Sequence, residues 1–321
     1  MIETKTYDQT VVRTIEKGLT SNPKRLPSWL FYDEVGDKIF QAIMRMPEYY
    51  LTDCEHEILC KQKSRIGDLF SKEGNSFKLV ELGAGDGTKT EVLLDYFTTE
   101  DINFTYVPVD VSKAVLDQLQ KRLKITLPDL KVHSENKLYQ EALTDLNAND
   151  EERKVILFLG ANIGNFSVSA AEDFVQDLAA NMHSNDLLLI GFDLKKDPRL
   201  ILAAYDDKGG ITKEFNLNLL ARLNRDLGAR FDLEKFSHYP FYDPETGVTK
   251  SYLISQANQN VFIEALDRLI VFNKWEIIHT EVSQKYDAKM IERLADHAGL
   301  EVVEKLYDER GYFCDVVMRL K

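Results

Sequence analysis

A doubly wound α/β sheet that ends in an antiparallel hairpin, interrupted by a second mixed α+β segment, is the fold this sequence predicts. Three observations predict it. Short apolar runs alternate with helical periodicity between residues 78 and 193, the rhythm of successive βα units. The rhythm breaks over 194–286. It then resumes with one helix and two consecutive strands that close the chain.

Each element has its own signal. The first 53 residues mix amphipathic helix with aromatic-rich turns at 23–27 and 47–50. Residues 78–82 form a short apolar strand that runs into Gly83-Ala84-Gly85-Asp86-Gly87, and 88–97 follow with helical spacing. A second strand, 104–109, stops at Asp110, and Ser112 caps the helix over 112–123. Residues 155–159 and 186–192 are almost wholly apolar, as in parallel strands buried on both faces, and an amphipathic helix over 167–182 separates them. In the interrupting segment, 199–227 reads as helix and 249–255 and 261–272 as strand. A helix over 288–298 stops at Gly299, and strands at 301–307 and 312–320 follow. This divides the chain into a sheet domain of 54–193 with 287–321, and a second domain of 1–53 with 194–286 that acts as a substrate-binding lid.

Composition excludes several functions. The chain has 321 residues, 44% hydrophobic and 29% charged, an ordinary soluble balance. Its net charge of -13 argues against binding a phosphate backbone, which needs clustered Lys and Arg. The 3 Cys form no C-x-x-C pair and the 6 His no H-x-x-x-H pair, so no metal is expected. Met1 to Lys5 are polar rather than the start of an apolar leader, and no apolar run reaches membrane-spanning length. The expectation is a cytoplasmic monomer that binds neither nucleic acid nor membrane and acts on a small molecule.

The chemistry-bearing motif is Val80-Glu81-Leu82-Gly83-Ala84-Gly85-Asp86-Gly87-Thr88. Glycines at alternate positions let the backbone turn sharply and approach a ligand closely. The spacing is not the G-x-G-x-x-G of pyrophosphate binders, and no Lys-Ser/Thr pair follows as in a P-loop. Asp110 ends the next strand, where a carboxylate can accept from both hydroxyls of a ribose. Loop, acid and terminal hairpin together resemble the class I S-adenosylmethionine-dependent methyltransferases, whose sheet carries a last antiparallel strand.

A longer resemblance runs along almost the whole chain. Its blocks are Leu26-Pro27 with Phe31-Tyr32-Asp33-Glu34-Val35-Gly36, Met46-Pro47-Glu48-Tyr49-Tyr50-Leu51-Thr52, and Phe158-Leu159-Gly160-Ala161-Asn162-Ile163-Gly164-Asn165. Ala204-Tyr205-Asp206-Asp207 and Thr280-Glu281-Val282-Ser283-Gln284-Lys285-Tyr286 complete them. The chain resembles the L-histidine Nα-methyltransferases of ergothioneine biosynthesis. That resemblance implies a methyl donor, S-adenosylmethionine, leaving as S-adenosylhomocysteine. It implies a substrate, free L-histidine, methylated three times to hercynine. Gly83, Lys89 and Asp110 fall on the family's cofactor positions, Gly85 lies in the same loop, and Leu138-Tyr139 stand where the family places an acidic-aromatic pair at the adenine. Tyr49, Asn165 and Tyr205 fall on positions that hold the amino-acid end of the substrate, Glu281 and Ser283 on the pair that reads the imidazole, and Tyr32 on a tyrosine near the amine. Tyr32, Tyr49 and Asn165 are thus the expected catalytic positions, and Ser251 or Tyr252 stands where the family can set a Met against the imidazole.

The residue chemistry suits these roles. Phenolic O–H groups bind without adding charge, and Asn165 follows a buried strand at the sheet edge where α/β ligands bind. Glu281 and Ser283 alternate by two, which on a strand turns both to one side. Aromatic packing would otherwise explain Tyr49 and Tyr50, and a solvated strand face Glu281. Two other readings are a methyltransferase of another amino acid such as tryptophan, and a non-catalytic S-adenosylmethionine-binding protein. An indole has one donor and no acceptor, a poor match for a carboxylate beside a hydroxyl.

Overall fold

The structure, a computed structural model, describes residues 7–72, 76–149 and 152–321; the polar segment Met1 to Lys5 lies outside them. The chain begins with α1 (Gln9–Thr20), β1 (Lys24–Arg25), α2 (Glu34–Ile43), α3 (Tyr50–Ser71), β2 (Phe77–Leu82), α4 (Glu91–Thr99), β3 (Phe104–Val109) and α5 (Lys113–Thr126). It continues through α6 (Tyr139–Asn149), β4 (Lys154–Phe158), α7 (Val168–Ala180), β5 (Leu187–Asp193), α8 (Pro198–Ala203) and α9 (Ile211–Leu227). The remainder is β6 (Phe236–Asp243), β7 (Val248–Ser255), β8 (Gln259–Ile263), β9 (Arg268–Phe272), β10 (Ile277–Gln284), α10 (Ala288–His297), β11 (Leu300–Tyr307) and β12 (Phe313–Leu320).

Two compact units result, one of Met1–Tyr50 with Lys196–Ser283 and one of Leu51–Lys195 with Gln284–Lys321. The second holds a six-stranded sheet in the order β11-β12-β5-β4-β2-β3. Strands β3, β2, β4 and β5 are mutually parallel, and β12 is antiparallel to both β5 and β11. This is the doubly wound sheet with an inserted antiparallel strand that the sequence predicts. The continuous apolar runs explain the burial: every residue of β4 and β5 is buried, because helices cover both faces of a parallel sheet. Val80, Ile156, Leu188, Ile190 and Val316 join Phe174, Val175 and Leu178 of α7 in one core. Each such side chain contributes about 1.5–3 kcal/mol on burial. Ser112 and Ser167 cap α5 and α7, their hydroxyls accepting from Val115 and Ala170 amides.

The other unit packs α1, α2 and α9 against sheet strands in the order β1-β10-β7-β6 and the β8-β9 hairpin. Its core joins Ile15 and Leu19 of α1, Ile39 of α2, Phe215, Leu219 and Leu223 of α9, Leu253 of β7 and Ile278 of β10.

The structure corrects several boundaries. The helix expected over 199–227 is two helices, because the Asp207 carboxylate accepts from the Ile211 and Thr212 amides at 2.9 and 2.8 Å and starts α9 afresh. The strand expected over 261–272 is a hairpin, turned by Glu264–Leu266 and a left-handed Asp267 at φ 44°. The helix expected from residue 88 begins at Glu91, since Thr88 belongs to a turn closed by the Asp86 carboxylate. The expected domain limits also move. The limit at 53/54 falls inside α3, a continuous helix. Residues 194–195 and 284–286 pair with each other beyond the strand ends: Lys195 N–H donates to Tyr286 O at 2.8 Å and Tyr286 N–H to Asp193 O at 2.9 Å. A buried ion pair between Lys285 and Asp193, 2.8 Å, fixes that junction.

Candidate active site

The loop after β2 is built from left-handed backbone. Gly83, Gly85 and Gly87 have φ of 73°, 54° and 63°, a region that a side chain makes costly. Space excludes a side chain as well. A Cβ on Gly83 would lie 2.8 Å from the Tyr139 hydroxyl, and one on Gly87 2.6 Å from Leu119 Cδ1, whereas Gly85 faces open space. The loop therefore presents bare backbone at the carboxyl ends of β2 and β3, with open space at Gly85. Asp110 holds its rim: Oδ2 accepts from the Gly85 amide at 3.0 Å and Oδ1 from the Ser112 amide at 2.8 Å. A carboxylate has about four lone-pair sites, so Asp110 keeps capacity for two ligand hydroxyls. These residues fit the ribose and amino-acid ends of a nucleoside such as S-adenosylmethionine.

Tyr139 begins α6 and packs its ring edge-on against Phe158 and Phe174, at 6.0 and 6.2 Å between centroids. Its burial and the nearby Asp110 charge raise the phenol pKa, keeping it neutral. Leu138 is 56% exposed, so of this pair the apolar side chain faces solvent and the phenol lies under the loop. Lys89 extends from the same turn to pair with Glu55 of α3. Burial disfavours the ammonium, but the Glu55 carboxylate outweighs it and the pKa is raised. Asn165 ends the turn Asn162–Asn165 after β4 and is exposed. That turn starts from Gly160 and Ala161 in left-handed conformations at φ 78° and 56°. Ala161 is strained there, as residues at ligand-binding turns often are.

The unit carrying α9 holds the remaining sequence-predicted residues. Tyr32 and Tyr49 both pack on Phe40, with centroids 5.5 and 6.3 Å away, and Tyr32 also meets Phe215 at 5.8 Å. Two tyrosines far apart in sequence thus share one aromatic cluster. The neighbouring Tyr50 is engaged differently, its hydroxyl accepting from Lys196 Nζ at 3.0 Å. Tyr205 is buried in the turn between α8 and α9. Glu281 and Ser283 lie on β10, the former partly buried and the latter buried. Burial alternates along β10 from Ile277 to Glu281. One Glu281 oxygen accepts the Ser251 hydroxyl of β7 at 3.0 Å. Of the pair Ser251 and Tyr252, Ser251 is thus the one that meets Glu281, while Tyr252 lies against His279 at 5.4 Å. Thr280 beside them is locked by its hydroxyl to Asn216 of α9 at 2.8 Å.

Glu55 was not legible as a site residue, although a signal exists. It lies in the stripe Leu51, Cys54, Glu55, Ile58, Leu59 of α3, an acid on the apolar face, and is fully buried. Among the described residues, no helix is long and apolar enough to cross a membrane, and no three His, Cys, Asp or Glu side chains gather as a metal site would.

Comparison with known proteins agrees with this geometry. A family model described as histidine-specific, S-adenosylmethionine-dependent methyltransferase matches residues 11–320. The chain is 34% identical over 301 residues to a histidine N-alpha-methyltransferase of Mycobacterium tuberculosis, covering 94% of this chain and 92% of that one. It is 30% identical over 287 residues to ergothioneine biosynthesis protein 1 of Schizosaccharomyces pombe, covering 88% of this chain and 37% of that longer one. It is also 30% identical over 332 residues to an L-tryptophan methyltransferase of Psilocybe serbica, covering 95% and 91%. With a glycine loop, a rim carboxylate and an inserted antiparallel strand all in place, and a match along nearly its whole length, the chain belongs to the histidine-specific, S-adenosylmethionine-dependent methyltransferase family.

Proposed function

We propose that the chain methylates the α-amino group of free L-histidine three times, giving hercynine, the first step of ergothioneine biosynthesis. The observation that carries the substrate is Glu281, a carboxylate on β10 oriented by the Ser251 hydroxyl, within a sequence akin to histidine methyltransferases. S-adenosylmethionine supplies an activated methyl group. Gly83, Gly85, Lys89 and Asp110 hold it, with Leu138 and Tyr139 toward the adenine.

The chain must then present a neutral amine. Free histidine carries a protonated α-amine near neutral pH, and methyl transfer needs its lone pair. Partial burial favours the neutral form, because desolvation penalises the charged one. Asn165 holds the substrate carboxylate, and Tyr49 and Tyr205 donate to the same end. Tyr32, on the exposed side of the Phe40 cluster, lies toward the amine. Each transfer releases one proton to water, and no single residue serves as a dedicated base. Tyrosine faces accommodate the growing ammonium by cation–π attraction, which suits three transfers. Glu281 and Ser283 read the two imidazole nitrogens. The reading includes a cytoplasmic monomer, for which the three free thiols suit a reducing compartment.

A tryptophan methyltransferase among the relatives makes substrate choice the sharpest test. A site built to hydrogen-bond its ligand rejects analogues that leave it unpaired by a factor on the order of 10⁴. Glu281→Ala is expected to lower kcat/KM for histidine strongly and to narrow the gap to tryptophan, with S-adenosylmethionine affinity unchanged. A constant ratio between the two substrates, with both rates reduced, would leave Glu281 a structural role only.

A further inference from the structure

Glu55 sits at a junction that neither loop explains alone. From α3 its fully buried carboxylate reaches Lys89, in the turn after the glycine loop. The same carboxylate accepts the Gly160 amide, with its oxygens at 2.8 and 3.0 Å, where the turn leading to Asn165 begins. Gly160 and Lys89 are themselves close: a Cβ on Gly160 would lie 3.6 Å from Lys89 Nζ. The sheet leaves room for this arrangement. Gly191 of β5 lacks the side chain that would collide with Glu55 Oε1. Opposite Gly191 in the strand register stands Asp315 of β12.

Asp315 is fully buried, and neither of its oxygens meets a donor among the described residues. Two carboxylates and one ammonium in a buried space balance when one carboxyl keeps its proton. Asp315 is that acid. Burial and the Glu55 charge raise its pKa well above the carboxylate range, so its O–H can donate to Glu55. Glu55 pairs with Lys89 on its other side.

We propose that Glu55 is a positioning residue that sets Lys89 and the 160–165 turn in register, so that one buried carboxylate orients both a cofactor-binding cation and the turn carrying Asn165. The proposal rests on the reading of Lys89 and Asn165 given above. Its geometry is that of a clamp with two jaws, and the jaws are separable by substitution. Glutamine keeps an oxygen for the Gly160 amide but removes the countercharge of Lys89. Alanine removes both.

The test uses the full chain, with S-adenosylmethionine binding by calorimetry, histidine kinetics and thermal melting measured together. Glu55→Gln is expected to weaken S-adenosylmethionine binding about tenfold while histidine KM stays within about threefold, as loss of one charge-assisted contact predicts. Glu55→Ala is expected to weaken binding and also to raise histidine KM about tenfold or more. Wild-type or tighter S-adenosylmethionine binding by folded Glu55→Gln overturns the proposal, as does a lowered melting temperature with both constants unmoved. Lys89→Met separates this failure from that of the underlying reading. Unchanged binding in Lys89→Met removes Lys89 from the cofactor site and the proposal with it. Weakened binding in Lys89→Met beside wild-type binding in Glu55→Gln overturns the positioning role alone. If Glu55→Ala does not fold, Glu55→Gln and Lys89→Met still decide.

Discussion

Asp110 shows how much one side chain can organise. Its two oxygens accept the Gly85 and Ser112 amides, so it ties the glycine loop to the residue that caps α5. Asp110→Ala is expected to weaken S-adenosylmethionine binding by roughly 1–3 kcal/mol in calorimetry, and unchanged affinity would remove it from the ribose. Glu81, two residues before that loop, behaves differently. Burial pushes its carboxyl from 4.5 up to about 7, against the lowering effect of the Thr90 and Tyr106 hydroxyls and Lys89. The folded chain therefore binds this proton more tightly than the unfolded chain between about pH 4.5 and 7. The Glu81 contribution is greatest below pH 4.5, falls as pH rises through that window, and is flat above it. The fall amounts to roughly 3 kcal/mol. Urea unfolding of wild type and Glu81→Gln across pH 4.5–8 measures it: the difference between the two curves should carry this slope, and parallel curves would mean that Glu81 is ionised throughout. Asp110 was readable from sequence because it ends a strand after a glycine loop. The protonation of Glu81 was not, since it depends on a burial that only the folded chain creates.

Elements with a strict apolar pattern were legible, and those defined by polar contacts were not. Strands β2 to β5 were found within a residue or two because burial on both faces leaves an unbroken apolar run. The break between α8 and α9 was missed because helical periodicity continues through it, while the Asp207 carboxylate ends one helix and begins the next. Asp207 belongs to the Ala204-Tyr205-Asp206-Asp207 block, and its structural task is this cap. Asp207→Ala is expected to lower stability by about 1–2 kcal/mol in urea unfolding and to leave S-adenosylmethionine affinity unchanged. Full stability in that variant would show that the cap is dispensable. Strand β10 was legible only through the alternation of Glu281 and Ser283 by two; its extent, Ile277–Gln284, was not.

At the scale of the molecule, a sequence interrupted between residues 194 and 286 folds as two units, each with its own core. The unit with the parallel sheet carries the glycine loop, Lys89, Asp110, Tyr139 and Asn165; the other carries Tyr32, Tyr49, Tyr205, Glu281 and Ser283. Family membership was legible from ordered blocks spread over both. Substrate choice is the part that composition and periodicity do not reach, because it depends on a few polar atoms such as the Glu281 carboxylate and the Ser251 hydroxyl. One measurement tests the central claim most directly: mass spectrometry of products after the purified chain is incubated with S-adenosylmethionine and an equimolar mixture of free amino acids. The account predicts that histidine is consumed first and appears as its trimethylated betaine, with tryptophan and the others unmodified over the same period. Methylation of tryptophan in preference to histidine, or of histidine on a ring nitrogen, would contradict it.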